Sequence, residues 1–290
     1  MEQTPSAVIS VSSHVVIGSV GNRSAVPAIE LSGLSCWSVP TVILPFHPGH
    51  GKSGRIVPDE ESFALLLEDI LSAPWLGEVK AVASGYLASA SQAVKLSQFI
   101  KLLKERNRDI LYVCDPVIGD SRGLYIAGET AGAIRDLLLP LADFATPNRH
   151  ELAWLVSSPE AATPMEAAAQ ARKLGVRGVL VTSAPAFMRG NTGNLLVSDQ
   201  LEIMAEHRLV NGPPNGAGDL TTGLLTAHLV KGKDMRETLR LTTASVFEAV
   251  ARASGRASPE LQLALDWSSI LKPSAMITLR NLATPVVGRK

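Results

Sequence analysis

The strongest constraint on this chain is an alternation of short β-rich runs with stretches of helical spacing. Runs at 7–11, 41–44, 81–83, 110–114, 144–145 and 178–181 read as strands. Between them, 91–106 places Leu96, Phe99, Ile100 and Leu103 on one helical face. Thr163-Pro164-Met165-Glu166 supplies an N-cap, a proline at the first helical position and a Glu three residues after the cap. That helix ends at Gly175. Strands alternating with helices argue for an α/β fold, a largely parallel sheet with helices on both faces. The runs 194–198 and 201–205, split by Asp199-Gln200, read instead as an antiparallel hairpin on a sheet edge.

The residues just past the strands bear on function. Five strands run into small polar or acidic residues: Ser12-Ser13-His14, Ser84-Gly85-Tyr86, Asp115-Pro116, Thr146-Pro147-Asn148 and Thr182-Ser183. Each alone is an ordinary turn composition. Together they line the edge along which open parallel sheets bind ligands.

Residues 215–222 read Asn-Gly-Ala-Gly-Asp-Leu-Thr-Thr and open an apolar-periodic stretch at 220–230. Gly216, Ala217 and Gly218 leave backbone N–H groups free at a helix start, where the dipole favours an anion. Asp219 comes directly after them. A phosphate site wants no extra negative charge, whereas phosphoryl transfer to a hydroxyl wants a proton acceptor beside the oxyanion cradle. A turn with a capping Asp would look the same in the tetrapeptide alone. The five strand ends weigh toward a site.

Composition removes other classes. The formal net charge is zero, which argues against a nucleic-acid tract or a polybasic membrane anchor. No apolar run reaches the roughly 18–20 residues of a membrane span, and the first ten residues lack a signal-peptide pattern. The cysteines Cys36 and Cys114 lie in apolar stretches and fit a reducing cytoplasm. One domain over 1–290, in the cytoplasm, is the expectation.

Residues 211–219 resemble the second signature of the ribokinase superfamily, kinases of small molecules that use ATP. The resemblance narrows to the pyridoxal kinase branch through Ser13-His14-Val15-Val16, Gly18 and Gly21-Asn22. It extends through Ser84-Gly85-Tyr86, Cys114-Asp115-Pro116-Val117 with Gly119-Asp120, Thr146-Pro147-Asn148 with Glu151, and Val181-Thr182-Ser183. The resemblance implies a three-layer α/β/α fold, mostly parallel with antiparallel edge strands. It implies ATP-dependent phosphorylation of the 5′-hydroxyl of pyridoxal, with Mg2+ on the ATP, room for K+, and a homodimer.

The same resemblance makes Asp219 the general base and Gly216, Ala217 and Gly218 the cradle. Asp115 and Glu151 would organise the metal through water, and Asn148, Thr182 and Ser183 would meet the nucleotide. Ser13, Tyr86 and His47 would meet the vitamin, and the loop 119–125 would close over ATP. Glu151 alone would pass for a solvated helix-start carboxylate, and His47 for a surface residue. Three departures touch the vitamin end. Leu44-Pro45-Phe46-His47-Pro48 stands where relatives usually have Phe-Ser-Asn-His-Thr, so an aromatic platform is missing at Leu44 or supplied by Phe46. Ser12 replaces a common glutamine, and Ile17 a frequent tyrosine or arginine. Two rival readings stand: a kinase of another hydroxymethyl heterocycle such as hydroxymethylpyrimidine, and a catalytically silent vitamin-binding module.

Overall fold

The computed structural model describes residues 6–282. Its core is a nine-stranded sheet laid down by β1 (Ala7–Val15), β2 (Ser35–Leu44), β3 (Val79–Ser84) and β4 (Leu111–Cys114), with the small hairpin β5 (Gly119–Asp120) and β6 (Gly123–Leu124) standing apart. It continues with β7 (Phe144–Ala145), β8 (Gly178–Pro185), β9 (Asn191–Ser198), β10 (Glu202–Arg208) and β11 (Thr278–Asn281). The strand order is β11-β10-β9-β8-β7-β4-β3-β1-β2. Pairings from β2 across to β8 are parallel. Those from β8 to β11 are antiparallel.

Alternation along β1 shows why the sheet needs cover on both sides. Val8 joins Ile29 in one apolar cluster, while Ile9 and Val11 join Phe63 and Phe99 in another. Ile29 belongs to α1 (Asn22–Leu31), Phe63 to α2 (Glu60–Ser72) and Phe99 to α3 (Ala90–Arg106). The α2 and α3 side also carries α4 (Gly128–Ala133), α5 (Arg149–Leu155) and α6 (Pro164–Arg172). On the α1 side lie α7 (Ala217–Val230), α8 (Met235–Gly255) and α9 (Leu263–Leu271). α7 is apolar all round because α1 and α8 flank it, and Leu220 through Leu229 are all buried. Its buried hydroxyls turn inward, Thr221 donating to the Ala217 carbonyl at 2.8 Å and Thr226 to that of Thr222 at 2.7 Å.

The capping expected at Thr163 is present, its hydroxyl accepting the Glu166 N–H, and Gly175 ends that turn at φ 66°. The hairpin lies one strand in from the edge. β11 pairs with β10 from Ile203–Asn281 to Glu206–Thr278 and takes the outer position. β11 is mostly exposed and short, with no apolar alternation to mark it. Among the described residues no helix is long and apolar enough to cross a membrane.

Candidate active site

Gly216 caps α7 in the left-handed region, at φ 97° and ψ −3°. A Cβ there would stand 1.9 Å from the Ser19 carbonyl oxygen, so the loop after β1 and the start of α7 meet backbone to backbone. The first N–H groups of α7 have no carbonyl four residues back and are free for an anion. Asp219 lies in the first turn with the Gly21 N–H facing its carboxylate. Burial pushes its carboxyl up to about 6, against the pull of that N–H and of the helix start. The helix terminus therefore does not hold Asp219 at an ordinary carboxylate value, although the ionised form still predominates at pH 7.

Across the cleft, Asp115 stands just past β4 and is 6% exposed. Its Oδ2 accepts the Thr222 hydroxyl at 2.9 Å, and Thr222 shares a 2.9 Å bond with Thr146. Burial, with the nearby Asp219 charge, pushes the Asp115 carboxyl up to about 7. Thr222 lies three residues after Asp219 and so on the same helical face, a spacing that could have exposed it in the sequence.

Glu151 occupies the third helical position of α5, and Asn148 is the N-cap. Asn148 Oδ1 accepts the His150 and Glu151 N–H groups, while Glu151 Oε2 accepts the Asn148 N–H at 2.8 Å. Glu151 Oε1 accepts the Ile118 N–H at 3.0 Å, and Asn148 Nδ2 donates to the Gly119 carbonyl at 2.9 Å. Glu151 is thus a helix-start carboxylate, but buried and bonded rather than solvated. Burial and Asp115 together push its carboxyl well up.

These oxygens fit a divalent cation carried by phosphates rather than a protein cage. Both Glu151 oxygens are engaged by main-chain N–H groups, which leaves water-mediated contact as its natural mode. Among the described residues no three His, Cys, Asp or Glu side chains converge to hold a metal by themselves.

At the other end, Ser13 lies at a register shift in the β1–β2 pairing, and Tyr86 comes after β3 with its carbonyl accepting the Thr41 hydroxyl at 2.7 Å. His47 Nδ1 accepts the Gly49 N–H at 3.1 Å and lies 3.3 Å from Asn215 Nδ2. An N–H can only donate, so the imidazole proton sits on Nε2. Burial also lowers the His47 pKa, which favours that neutral ring. Val15, Val42 and Leu44 make this end aliphatic. Phe46 does not line it; its ring packs edge-on against His50 at 6.4 Å. The platform expected from Phe46 is therefore not supplied there.

One cleft of about 1080 Å3 at the carboxyl ends of the parallel strands is lined by Ser13, His47, Tyr86, Asp115, Asn148, Glu151, Thr182, Ser183, Gly216, Gly218 and Asp219. Ala217 does not line it. Ser183 stands exposed at φ 52° where the β8–β9 register shifts, so the strand opens toward the cleft. Lys52 and Arg55 add positive charge to the walls, whereas Arg122 is paired with Asp120 at 2.6 Å. Lys52 and Arg55 were not legible as site residues, since loop cations carry no periodic signal.

The family model for phosphomethylpyrimidine kinase matches residues 61–259. A pyridoxine/pyridoxal/pyridoxamine kinase of Bordetella bronchiseptica is 37% identical, with 90% of this chain and 94% of that protein covered. A pyridoxal kinase of Rubrobacter xylanophilus is 32% identical, covering 95% and 97%. The crystal structure of the Leishmania donovani pyridoxal kinase with ADP and pyridoxamine shares the fold at a TM-score of 0.88, 24% identity, and 96% and 100% coverage. With the family match spanning most of the chain and near-full-length relatives above 30% identity, this chain belongs to the phosphomethylpyrimidine kinase family, on the pyridoxal kinase branch of the ribokinase-like superfamily.

Proposed function

We propose that the cleft phosphorylates the 5′-hydroxyl of pyridoxal with ATP, giving pyridoxal 5′-phosphate. The observation that carries this reading is the Asp219 carboxylate beside the free N–H groups at the start of α7. Binding alone does not need a base in that place. Asp219 takes the hydroxyl proton as the oxygen attacks the γ-phosphorus, and the ADP oxygen leaves in line. The N–H groups of Gly216 and Gly218, which line the cleft, meet the charge on the transferring group. Asp115 and Glu151 would hold the Mg2+ through water, and the ion would neutralise phosphate charge when bound.

Thr182 and Ser183 reach the nucleotide, and Asn148 acts mainly by fixing the Gly119 backbone. Tyr86 lies against the pyridine ring, Ser13 meets its polar edge, and His47 offers its Nε2–H. Lys52 and Arg55 draw phosphates to the cleft. The same reading includes a single domain, a homodimer, and, from the free thiols of Cys36 and Cys114, a reducing cytoplasm.

Coupled ATP turnover with pyridoxal, pyridoxine, pyridoxamine and hydroxymethylpyrimidine tests the proposal, run in K+ and in Na+. Turnover with pyridoxal is expected. Preferential turnover of hydroxymethylpyrimidine, or none with any of the four, would overturn it.

A further inference from the structure

Glu260 lies behind the cleft wall, in the turn between α8 and α9, and is only 6% exposed. It is not a helix cap and does not line the cleft. Its Oε2 accepts the Ser19 N–H at 2.8 Å, and its Oε1 lies 2.7 Å from His50 Nε2. The fit is close, since a Cβ on Gly18 (φ 113°) would stand 1.9 Å from Glu260 Oε2. The Glu260 backbone is tied to a third loop. The Asn215 N–H donates to the Pro259 carbonyl at 2.9 Å, and the Leu261 N–H donates to the Asn215 carbonyl at 3.1 Å.

The buried carboxylate thus joins the loops after β1 and β2, and the main chain on either side of it joins the loop before α7, so one short turn meets three loops that carry reacting or binding groups. The loop after β1 brings Gly21, whose N–H meets Asp219, and its Ser19 carbonyl abuts Gly216. The loop after β2 brings His47, which reaches back to Asn215. Burying a carboxylate costs free energy, and a partly exposed histidine and one amide repay little of it as mere stability. Stability alone would be served as well by an apolar residue at this position.

We propose that Glu260 is a positioning residue for phosphoryl transfer, holding the loops after β1 and β2 in register with the base on α7. It acts through Ser19 and His50 and does not touch the substrate. The proposal rests on the kinase reading above, and wild-type turnover tests that reading separately.

The test compares Glu260→Ala, Glu260→Gln and His50→Ala with wild type, measuring kcat and KM for pyridoxal, Kd for ATP, and thermal unfolding. A misplacement of the order of 1 Å costs about 10²-fold, so kcat of Glu260→Ala should fall by about that factor. ATP affinity should hold within about twofold, because the Asn215 main-chain bonds that seat the cradle are untouched. Glu260→Gln keeps an acceptor for Ser19 and should lose about tenfold in kcat/KM, less than the alanine variant. His50→Ala should raise the pyridoxal KM, and the double variant should be no worse than Glu260→Ala. A purely structural role would lower the unfolding temperature while leaving kcat per folded enzyme alone.

Glu260→Ala with kcat within about twofold of wild type, or with ATP affinity falling as far as kcat, overturns the proposal. Should that variant not fold, wild-type kcat/KM in both Glu260→Gln and His50→Ala overturns it. If wild type leaves pyridoxal untouched, the kinase assignment fails, and the same comparison is read on whichever hydroxymethyl compound wild type does phosphorylate.

Discussion

At Asp219, shape and charge can be separated. Asparagine keeps the side chain's size and an oxygen acceptor, but it cannot take a proton. Loss of a general base lowers turnover by about 10²–10⁴-fold. Asp219→Asn should therefore lose kcat by that order while ATP and pyridoxal still bind, since the cradle is main chain. Isothermal titration beside steady-state kinetics checks this, and a folded variant keeping half of wild-type kcat would remove the base assignment. The raised carboxyl adds a pH signature. The reactive form is the ionised one, so kcat should fall as pH drops through about 6. A flat kcat between pH 5 and 8 would show that proton removal is not part of the slow step.

At the scale of elements, the buried acids Asp115 and Glu151 are held in different ways. Asp115 follows a strand and its carboxylate meets a hydroxyl, whereas Glu151 closes the capping box of α5 and also holds the 118–119 backbone. Asp115→Ala should raise the Mg2+ concentration needed for turnover with little loss of stability. Glu151→Ala leaves buried N–H groups unpartnered and should cost about 1–3 kcal/mol of stability as well. Denaturant melts and Mg2+ titrations of both variants separate the roles; equal effects on both measures would show that they act alike. The sequence betrayed much of this because capping boxes, apolar periodicity and strand-end residues are local patterns. The parallel sheet, the Thr163 cap and the helix start at Asn-Gly-Ala-Gly-Asp were all legible. β11 was not, since its pairing depends on a strand some seventy residues away. Glu260 was not either, because a buried carboxylate's partners are set by tertiary packing alone. Nor did residues 44–48 disclose that Phe46 turns to His50 and away from the vitamin end.

At the scale of the molecule, the cleft gathers carboxylates that stability alone would not choose. Asp115 and Asp219 have folded values of about 7 and about 6, above the usual 3.8 of a free aspartate. A raised carboxyl binds its proton more tightly when folded. Its contribution is full below about pH 3.8 and is lost as pH rises through the folded values. The apoprotein's unfolding temperature should therefore decline from pH 5 toward pH 7.5 on account of these two groups, and Asp115→Asn should flatten part of the slope. A wild-type slope of the opposite sign, unchanged by Asp115→Asn, would show that the acids do not set it. The burial of α7 has another consequence. On the kinase reading, base and cradle ride on a helix packed into the core, whereas the residues proposed to meet the ring stand near the end of β1 (Ser13) and in the loops after β2 and β3 (His47, Tyr86). On that reading, chemistry and choice of substrate are written in separate parts of the chain. A lineage can rewrite the loops, as 44–48 differ here, and pass from one hydroxymethyl heterocycle to another while the transfer machinery is inherited intact.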